Sequence, residues 1–298
     1  MKPLLITLLL AGCAYAQFPE PDGGTVKPGT LPATWITGGP NCLEVPEFQV
    51  HEYNPDLFIL RESGCINYEK PFLYLFFGAE KALLYDTGAG QAVPTGRVVS
   101  DLIAKWAKRA GRTTPIPSVV AHSHAHGDHT AGDAQMKALP NTTVLGTDVA
   151  SVQTFFGFKD WPKDIVQFEL GGRVLDVIGI PGHEVASIAI YDRQTGVLLT
   201  GDTVYPGRLY VRDAPTFTAS IERLVEFTKD KPVTHVLGTH IEQSATPFLD
   251  YKVGTQYQPN EHKLELNRGN LLEILEAMHT MGAKVRRYAL RDLTVYPR

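Results

Sequence analysis

Four histidines and one aspartate fall within eight consecutive positions, residues 122–129. The string reads His-Ser-His-Ala-His-Gly-Asp-His, and it lies between an apolar run at 118–121 and a helical pattern that begins at Asp133. This order predicts a strand, a loop that carries the polar side chains, and then a helix. A purely structural role is hard to justify, because each buried imidazole would need its own polar partner. Neutral imidazole and carboxylate are the usual ligands of catalytic zinc, so the segment predicts a metal site.

Strand-like and helical patterns alternate along the rest of the chain. Apolar β-type runs predict strands at 72–77, 82–85, 118–121, 143–146, 165–170, 174–178, 188–191, 197–200 and 235–237. Apolar residues at helical spacing predict helices within 98–106, 133–139, 221–228 and 270–278. In the last of these helices, Asn270 and Glu273 form the pattern of a capping box. Without a repeat or an internal linker, residues 46–298 predict one domain of mixed α/β (α+β) structure, with a C-terminal extension from about residue 246.

The composition narrows the class of partner. Apolar residues make up 43% of the 298 residues and charged residues 20%, which supplies a packed core and argues against disorder. The formal net charge is −4, so the chain lacks the broad basic surface that binds nucleic acid. We therefore expect a small-molecule substrate and no nucleic-acid partner, and the sequence gives no indication of the oligomeric state.

The first sixteen residues have the features of an export signal. Lys2 precedes an apolar run at 4–10 that is too short to span a bilayer, and Ala14-Tyr15-Ala16 is a small-x-small cleavage site. An overlapping interpretation treats residues 10–13 as a bacterial lipobox, in which Cys13 would be lipidated and would attach the protein to a membrane. We expect a signal peptide over 1–16 and a periplasmic or secreted protein, or else a lipoprotein.

The segment between the leader and the domain is rich in Pro, Gly and Thr. Residues 17–45 therefore predict an extended lead-in. Cys42 and Cys65 are the cysteines that follow the leader, and they could pair in an oxidising compartment. Two buried free thiols are the alternative, because sequence spacing alone does not place two Cα atoms within bridging distance. Both alternatives stay open at this point.

His124-x-His126-x-Asp128-His129 resembles the signature of the metallo-β-lactamase superfamily. The family's other motifs are matched, in order, by Leu83-Leu84-Tyr85-Asp86-Thr87-Gly88, Pro181-Gly182-His183, Thr200-Gly201-Asp202-Thr203 and Leu237-Gly238-Thr239-His240. The resemblance runs from about residue 58 to residue 245. It implies an αββα sandwich, in which two β-sheets lie face to face between outer helices and the metals sit at one edge.

The resemblance also implies two zinc ions per chain. It assigns His124, His126 and His183 to one metal, Asp128, His129 and His240 to the other, and Asp202 to a bridge between them. Independently of the family, five imidazoles and two carboxylates without a thiolate suit zinc. A hydroxide held between two cations is a nucleophile at neutral pH, and Asp128 is placed to take the proton from the attacking water. Asp86 would orient a ligand, or would cap the turn that follows it.

Tyr205 is a second candidate catalytic residue. It lies three positions after Asp202, and in acyl-homoserine lactonases of this superfamily a tyrosine at this offset points at the substrate carbonyl. Donation to a developing oxyanion is therefore one role, and simple packing of the ring within the loop is the alternative. Among the histidines outside the motifs, His262 lies in a segment that could fold over the site. We expect the others to bond locally or to occupy the surface or core, namely His51, His122, His235 and His279.

These features predict a metal-dependent hydrolase that acts on an ester-like, lactone or thioester carbonyl. The true β-lactamases of the superfamily do not use an aspartate as the bridging ligand, so Asp202 argues against that activity as the main one. A β-lactamase-type amide hydrolase and an iron-dependent oxygenase on the same fold remain the alternatives. A non-catalytic binding protein would be expected to have lost ligands, and the sequence retains all of them.

Overall fold

The computed structural model describes residues 26–42, 46–90 and 92–298. The predicted signal peptide, the lipobox at Cys13 and part of the 17–45 lead-in lie outside the described residues. In chain order the elements are β1 (Phe48–Asn54), β2 (Leu57–Glu62), β3 (Phe72–Phe77), β4 (Ala82–Tyr85), α1 (Thr95–Arg109), β5 (Ser118–Ala121), α2 (Gly127–Thr130), α3 (Asp133–Lys137), β6 (Thr142–Val144), α4 (Val149–Phe156), β7 (Ile165–Glu169), β8 (Val174–Gly179), β9 (Ile188–Asp192), β10 (Val197–Gly201), β11 (Arg208–Val211), α5 (Ala214–Phe227), β12 (His235–Gly238), β13 (Glu265–Leu266), α6 (Arg268–Met281), β14 (Tyr288–Ala289) and β15 (Thr294–Pro297).

The strands form two large sheets and one small one. The first sheet has the order β1-β2-β3-β4-β5-β6, and the second has the order β13-β12-β10-β9-β8-β7. In the first sheet β4, β5 and β6 are parallel, and in the second β10 and β12 are parallel. Parallel strands end at the same edge, so the loops that follow β4 and β5 are neighbours, as are those that follow β10 and β12. The small sheet, β11-β15-β14, was not predicted from the sequence.

Three apolar clusters hold these layers together. One lies between the two large sheets and includes Tyr74 and Leu83 of the first sheet with Leu199 of the second. A second packs the first sheet against α1, and a third packs the second sheet against α5 and α6. Full burial of each large side chain contributes about 1.5–3 kcal/mol of transfer free energy. The resulting order of helix, sheet, sheet and helix confirms the predicted αββα sandwich.

Each predicted strand and helix overlaps an observed element, but α5 begins at Ala214, seven residues before Ile221, and the start of the last helix was also wrong. Asn267, not Asn270, is its N-cap: the Asn267 side chain accepts a hydrogen bond from Gly269 N at 2.7 Å. Asn270 occupies the third helical position, and its Oδ1 accepts from Asn267 N at 3.0 Å. The helix therefore begins three residues earlier than predicted, because Asn270 supplies the second half of the capping box instead of the first.

Several elements were not singled out from the sequence. In the first strand, β1, Phe48 and Tyr53 are buried, and the residues between them alternate between half-buried and exposed at the sheet edge, so the apolar strand pattern is weak. At the end of β2, Cys42 and Cys65 form a disulfide with Cα atoms 5.1 Å apart, which ties the lead-in to the first sheet. None of the described helices is long and apolar enough to cross a bilayer.

Candidate metal centre

Seven polar side chains meet at one edge of the sandwich, where strands of both sheets end. The segment after β5 supplies His124, His126, Asp128 and His129, and the turns after β8, β10 and β12 supply His183, Asp202 and His240. These are the seven ligands expected from the sequence, and the structure brings all of them together. They form two groups that could each hold a metal ion: His124, His126, His183 and Asp202, and Asp128, His129, Asp202 and His240.

Two glycines allow close backbone approaches beside the ligands. Gly182 precedes His183 with φ +134°, and a Cβ there would lie 2.4 Å from the Cα of Phe217 in α5. Gly201 precedes Asp202 with φ +52°, and its Cβ would lie 2.7 Å from the Cβ of Ser123. Any other residue would push each turn away from its neighbour. Gly182 therefore lets the turn of His183 pack against α5, and Gly201 lets the turn of Asp202 approach the loop after β5.

The first group converges on three ring nitrogens and one carboxylate oxygen. His126 Nδ1 lies 2.7 Å from His124 Nε2 and 3.2 Å from His183 Nε2. Asp202 Oδ2 lies 3.7 Å from Nε2 of both His124 and His183.

The second group shares the other oxygen of the same carboxylate. Asp202 Oδ1 lies 3.3 Å from His240 Nε2 and 3.6 Å from His129 Nε2. Asp128 Oδ2 lies 3.3 Å from both of those nitrogens. Asp202 therefore faces both groups, with one oxygen toward each.

The donor set fits zinc. Donor atoms about 2.0–2.1 Å from a tetrahedral zinc lie roughly 3.3 Å from one another, and the contacts above run from 2.7 to 3.7 Å. Imidazole nitrogens whose lone pairs point at each other repel, and a shared cation relieves that repulsion. The remaining ring nitrogen of His126, Nε2, is buried and has no hydrogen-bond partner among the described residues.

Backbone carbonyls set the direction of two imidazoles. His183 Nδ1 lies 3.0 Å from the carbonyl oxygen of Tyr210, and His240 Nδ1 lies 2.9 Å from that of Glu69. A carbonyl oxygen can only accept, so each Nδ1 carries the proton and donates. In the neutral ring, Nε2 then presents its lone pair to the centre, which is the arrangement typical of histidine ligands.

Asp86 contacts the loop that carries the His-x-His-x-Asp-His motif. Its Oδ2 lies 2.9 Å from His129 Nδ1, and its Oδ1 accepts a hydrogen bond from Ser123 N at 2.6 Å. The residue is fully buried and has a positive φ of 70°, a conformation that non-glycine residues seldom adopt. Of the two roles expected for Asp86, the structure favours the orientation of a ligand over the capping of a turn.

The pKa values divide the two groups. Burial lowers the pKa of His183 to about 4 and holds that of His124 well below its usual value, so both rings are neutral. Burial also opposes protonation of His240, but the carboxylates of Asp202 and Asp128 outweigh it and raise the pKa to about 9. The pKa of His129 is raised in the same way. In the absence of a metal cation, His240 and His129 of the second group are therefore protonated at neutral pH.

Tyr205 is buried behind the centre. Its hydroxyl lies 2.5 Å from the carbonyl oxygen of Arg208 and 3.0 Å from Glu242 Oε2, so it is already engaged within the protein. Its ring centroid lies 5.8 Å from that of His240. Although buried, the tyrosine contributes to the wall of the pocket, and its catalytic role stays a prediction.

The remaining histidines bond elsewhere. His122 lies beside the motif, but its Nε2 contacts Asp133 Oδ1 at 2.8 Å, away from the two groups. His262 contacts Asp292 and does not line the pocket. His51 contacts Thr30, His235 contacts Tyr53, and His279 contacts Glu222.

A pocket of about 200 Å³ opens onto the ligands. Besides the metal-site residues and Tyr205, its walls contain Glu69, Tyr210, Arg212, Glu242 and Arg298. Sequence reasoning did not identify these five. Glu242 stands two positions after His240 and could have been found by proximity, but the two arginines carry no local signal because pairing within the small sheet brings them to the site.

Comparison with known proteins agrees with this geometry. The sequence model of the metallo-beta-lactamase superfamily matches residues 71–240, more than half of the chain and all seven candidate ligands. The chain is 32% identical over 108 residues to a hydroxyacylglutathione hydrolase of Methylococcus capsulatus, over 35% of this chain and 42% of that protein, so the match spans less than half of this relative. It is 27% identical over 247 residues to the acyl-coenzyme A thioesterase MBLAC2 of Homo sapiens, over 71% of this chain and 87% of that protein.

Solved structures agree on the fold. A metallo-beta-lactamase from Pontibacter korlensis superposes with a TM-score of 0.51 at 17% identity, over 78% of this chain and 99% of that one. At this identity the likeness concerns the fold alone. The profile match and the named relatives together show that the chain is a metal-dependent hydrolase that belongs to the metallo-β-lactamase superfamily.

Proposed function

We propose that this chain is an exported hydrolase that holds two zinc ions and cleaves a thioester or a related ester-like carbonyl, including a lactone. The observation that carries the two-metal part is the position of Asp202. One of its oxygens lies 3.7 Å from the first group's His183, and the other lies 3.3 Å from the second group's His240. A carboxylate placed in this way lowers the repulsion between two cations, which a single imidazole cannot do.

The residues of the chain prepare this site for hydrolysis. Zinc bound there would supply Lewis acidity, which lowers the pKa of water and polarises a carbonyl. Asp128 lines the pocket with a side chain that is 23% exposed, against 8% for Asp202, so it can be reached by water. We assign it the role of accepting the proton of the attacking water.

The named relatives favour a thioester. One is a hydroxyacylglutathione hydrolase and another an acyl-coenzyme A thioesterase. The pocket is lined by histidine, carboxylate, arginine and tyrosine side chains, which suits a polar carrier better than a bulky apolar one. Simple esters and lactones require the same attack of water on a carbonyl, with oxygen in place of sulfur as the leaving atom.

Two features support export. The first is the charged start, apolar run and small-residue site at the N-terminus. The second is the disulfide between Cys42 and Cys65, since disulfides persist in oxidising compartments.

The test combines metal analysis with a substrate screen. Purified protein loaded with zinc should contain about two zinc ions per chain. It should hydrolyse thioesters, with lactones, simple esters and a β-lactam as parallel substrates. One iron per chain, with oxygen consumption and no hydrolysis, would replace this proposal with the oxygenase alternative. A clear preference for the β-lactam would replace the substrate assignment.

A further inference from the structure

Two arginines line the pocket beside the metal ligands and have no part in the proposed metal chemistry. Arg212 follows β11, and Arg298 follows β15. These strands are parallel, and Val211 lies opposite Pro297. The arginines are the next residues on the two strands, and Arg298 N donates to Val211 O at 3.0 Å. Two guanidinium groups therefore stand on adjacent strands, whose axes lie about 4.8 Å apart, on one wall of the site.

The backbone of Arg212 and the guanidinium of Arg298 are each held near the centre. Arg212 N donates to Gly182 O at 3.1 Å, one residue before the candidate ligand His183. The guanidinium of Arg298 lies 5.3 Å from the ring centroid of Tyr210, which also lines the pocket. An arginine held over an aromatic face loses less freedom when it binds a ligand.

Neither guanidinium is held in an ion pair by a side chain of the described residues, whereas the neighbouring Arg208 pairs with Glu242 and Asp250. Both are exposed to the pocket and solvent. Like charges at such spacing repel, and an anion bound between them would relieve the repulsion.

Arg212 and Arg298 together form a cationic wall of the pocket, and the backbone contact of Arg212 with Gly182 places it on the side of His183. The pocket also contains carboxylates, but that of Glu242 is half-buried and paired with Arg208. An exposed cationic wall on one side of the pocket gives a negatively charged substrate one favoured orientation.

We propose that Arg212 and Arg298 together bind an anionic group of the substrate, a carboxylate or a phosphate, and so select negatively charged thioesters or esters. The inference rests on the proposed hydrolase function and deepens it. Arginine forks match the oxygens of both groups bidentately. The anion lies on the His183 side of the centre, and the carbonyl to be cleaved lies over the metal ligands.

The test uses three thioesters and the zinc-loaded protein. One is neutral, S-(4-nitrophenyl) thiobutyrate. The second carries a carboxylate on the acyl chain, as the glutaric acid monothioester of the same thiol. The third carries it on the leaving group, as the butyryl thioester of 4-mercaptobenzoic acid. We expect kcat/KM for at least one anionic thioester to exceed that for the neutral one by about tenfold or more, the size typical of a charge-assisted hydrogen bond.

The variants Arg212→Met and Arg298→Met should each lower kcat/KM for the preferred anionic thioester by about tenfold, through KM, and should change kcat/KM for the neutral thioester far less. The matched control is Arg291→Met, an exposed arginine outside the pocket that pairs with Asp292. This control variant should change kcat/KM for neither the anionic nor the neutral thioester. Because both pocket arginines are exposed, circular dichroism should show an intact fold in every variant.

Each failure has a distinct meaning. If no thioester, ester or lactone is hydrolysed, the proposed function is wrong. If neutral and anionic thioesters are hydrolysed equally, or if the variants slow both equally, the arginine site is wrong while the hydrolase stands. Calorimetric titration with glutarate gives a readout without turnover: wild type should bind it more tightly than the double variant by about tenfold or more, and equal binding would overturn the arginine site.

Discussion

Asp202 is the residue on which the two groups of ligands depend. Its Oδ2 faces His124 and His183, while its Oδ1 faces His240 and accepts a hydrogen bond from Thr239 Oγ1. The position of both oxygens is thus set by contacts with both sheets. A change of charge at this residue alters both groups without altering the shape of the site.

We expect Asp202→Asn to weaken the second metal site first and to lower turnover by about tenfold or more, because the amide keeps the shape but not the charge that offsets two cations. Metal content and kcat are measured on the same preparation. The control is Asp230→Asn, which changes an exposed carboxylate outside the centre. Two zinc ions and a full rate in Asp202→Asn would rule out the bridged arrangement.

His240 makes metal binding depend on pH. Its pKa of about 9 means that the ring of the metal-free protein is protonated at neutral pH. A metal ion must displace that proton, and the same holds for His129, whose pKa is also raised. Zinc affinity should therefore rise as the pH rises from 6 toward about 9, with about one to two protons released per zinc at the second site near pH 7. Calorimetry in buffers of different ionisation enthalpy counts these protons, and a release of none would contradict the pKa values.

At the scale of elements, the candidate ligands all lie in segments that follow β-strands, and two of them, Asp128 and His129, lie in the short helix α2. Each motif combines an apolar run with a polar residue within the next few positions, so the local sequence predicts both the strand and the ligand. Positions 124–129, His183, Asp202 and His240 could be predicted for this reason. The cationic wall could not, because Arg212 and Arg298 become neighbours only through the pairing of β11 with β15, which are more than 80 residues apart in the chain.

The start of α6 also depends on a tertiary contact that the local sequence does not reveal. Two asparagines three residues apart each fit an N-cap, and the local pattern favoured the wrong one. In the structure Asn267 is the cap and Asn270 completes the box. Tertiary packing decides between them, since Asn270 also donates to Asp292 at 3.2 Å, outside the helix.

Asn267→Ala should therefore destabilise the protein by about 1 kcal/mol, the usual cost of losing an N-cap. In a chain of this size, we expect a fall in Tm of roughly 2–4 °C. The matched control is Glu276→Ala, at an exposed position within the same helix, which should stay within about 0.5 kcal/mol of wild type. An unchanged Tm for Asn267→Ala would show that the cap contributes nothing to the stability of the fold.

At the scale of the whole molecule, the predicted export and the disulfide support each other, because disulfides persist in oxidising compartments. We expect the mature protein to be found outside the cytoplasm, with Gln17 as its N-terminus or with a lipid on Cys13. Peptide mapping without reduction should join Cys42 to Cys65, and loss of that bond in the double serine variant should cost about 3 kcal/mol of stability. Recovery of an intact Met1 species from the cytoplasm alone, with both thiols free, would contradict the assignment.

The two large sheets are built from consecutive stretches of the chain, 48–144 and 165–266. Each group of ligands takes two members from the first stretch and two from the second. Catalysis therefore cannot begin during synthesis of the first stretch, and it starts only when the second has emerged and docked. A gene fragment that ends near residue 160 would still encode the complete His-x-His-x-Asp-His signature and yet yield no working enzyme. The signature identifies the ancestry of such a fragment, whereas activity reports that both stretches have assembled.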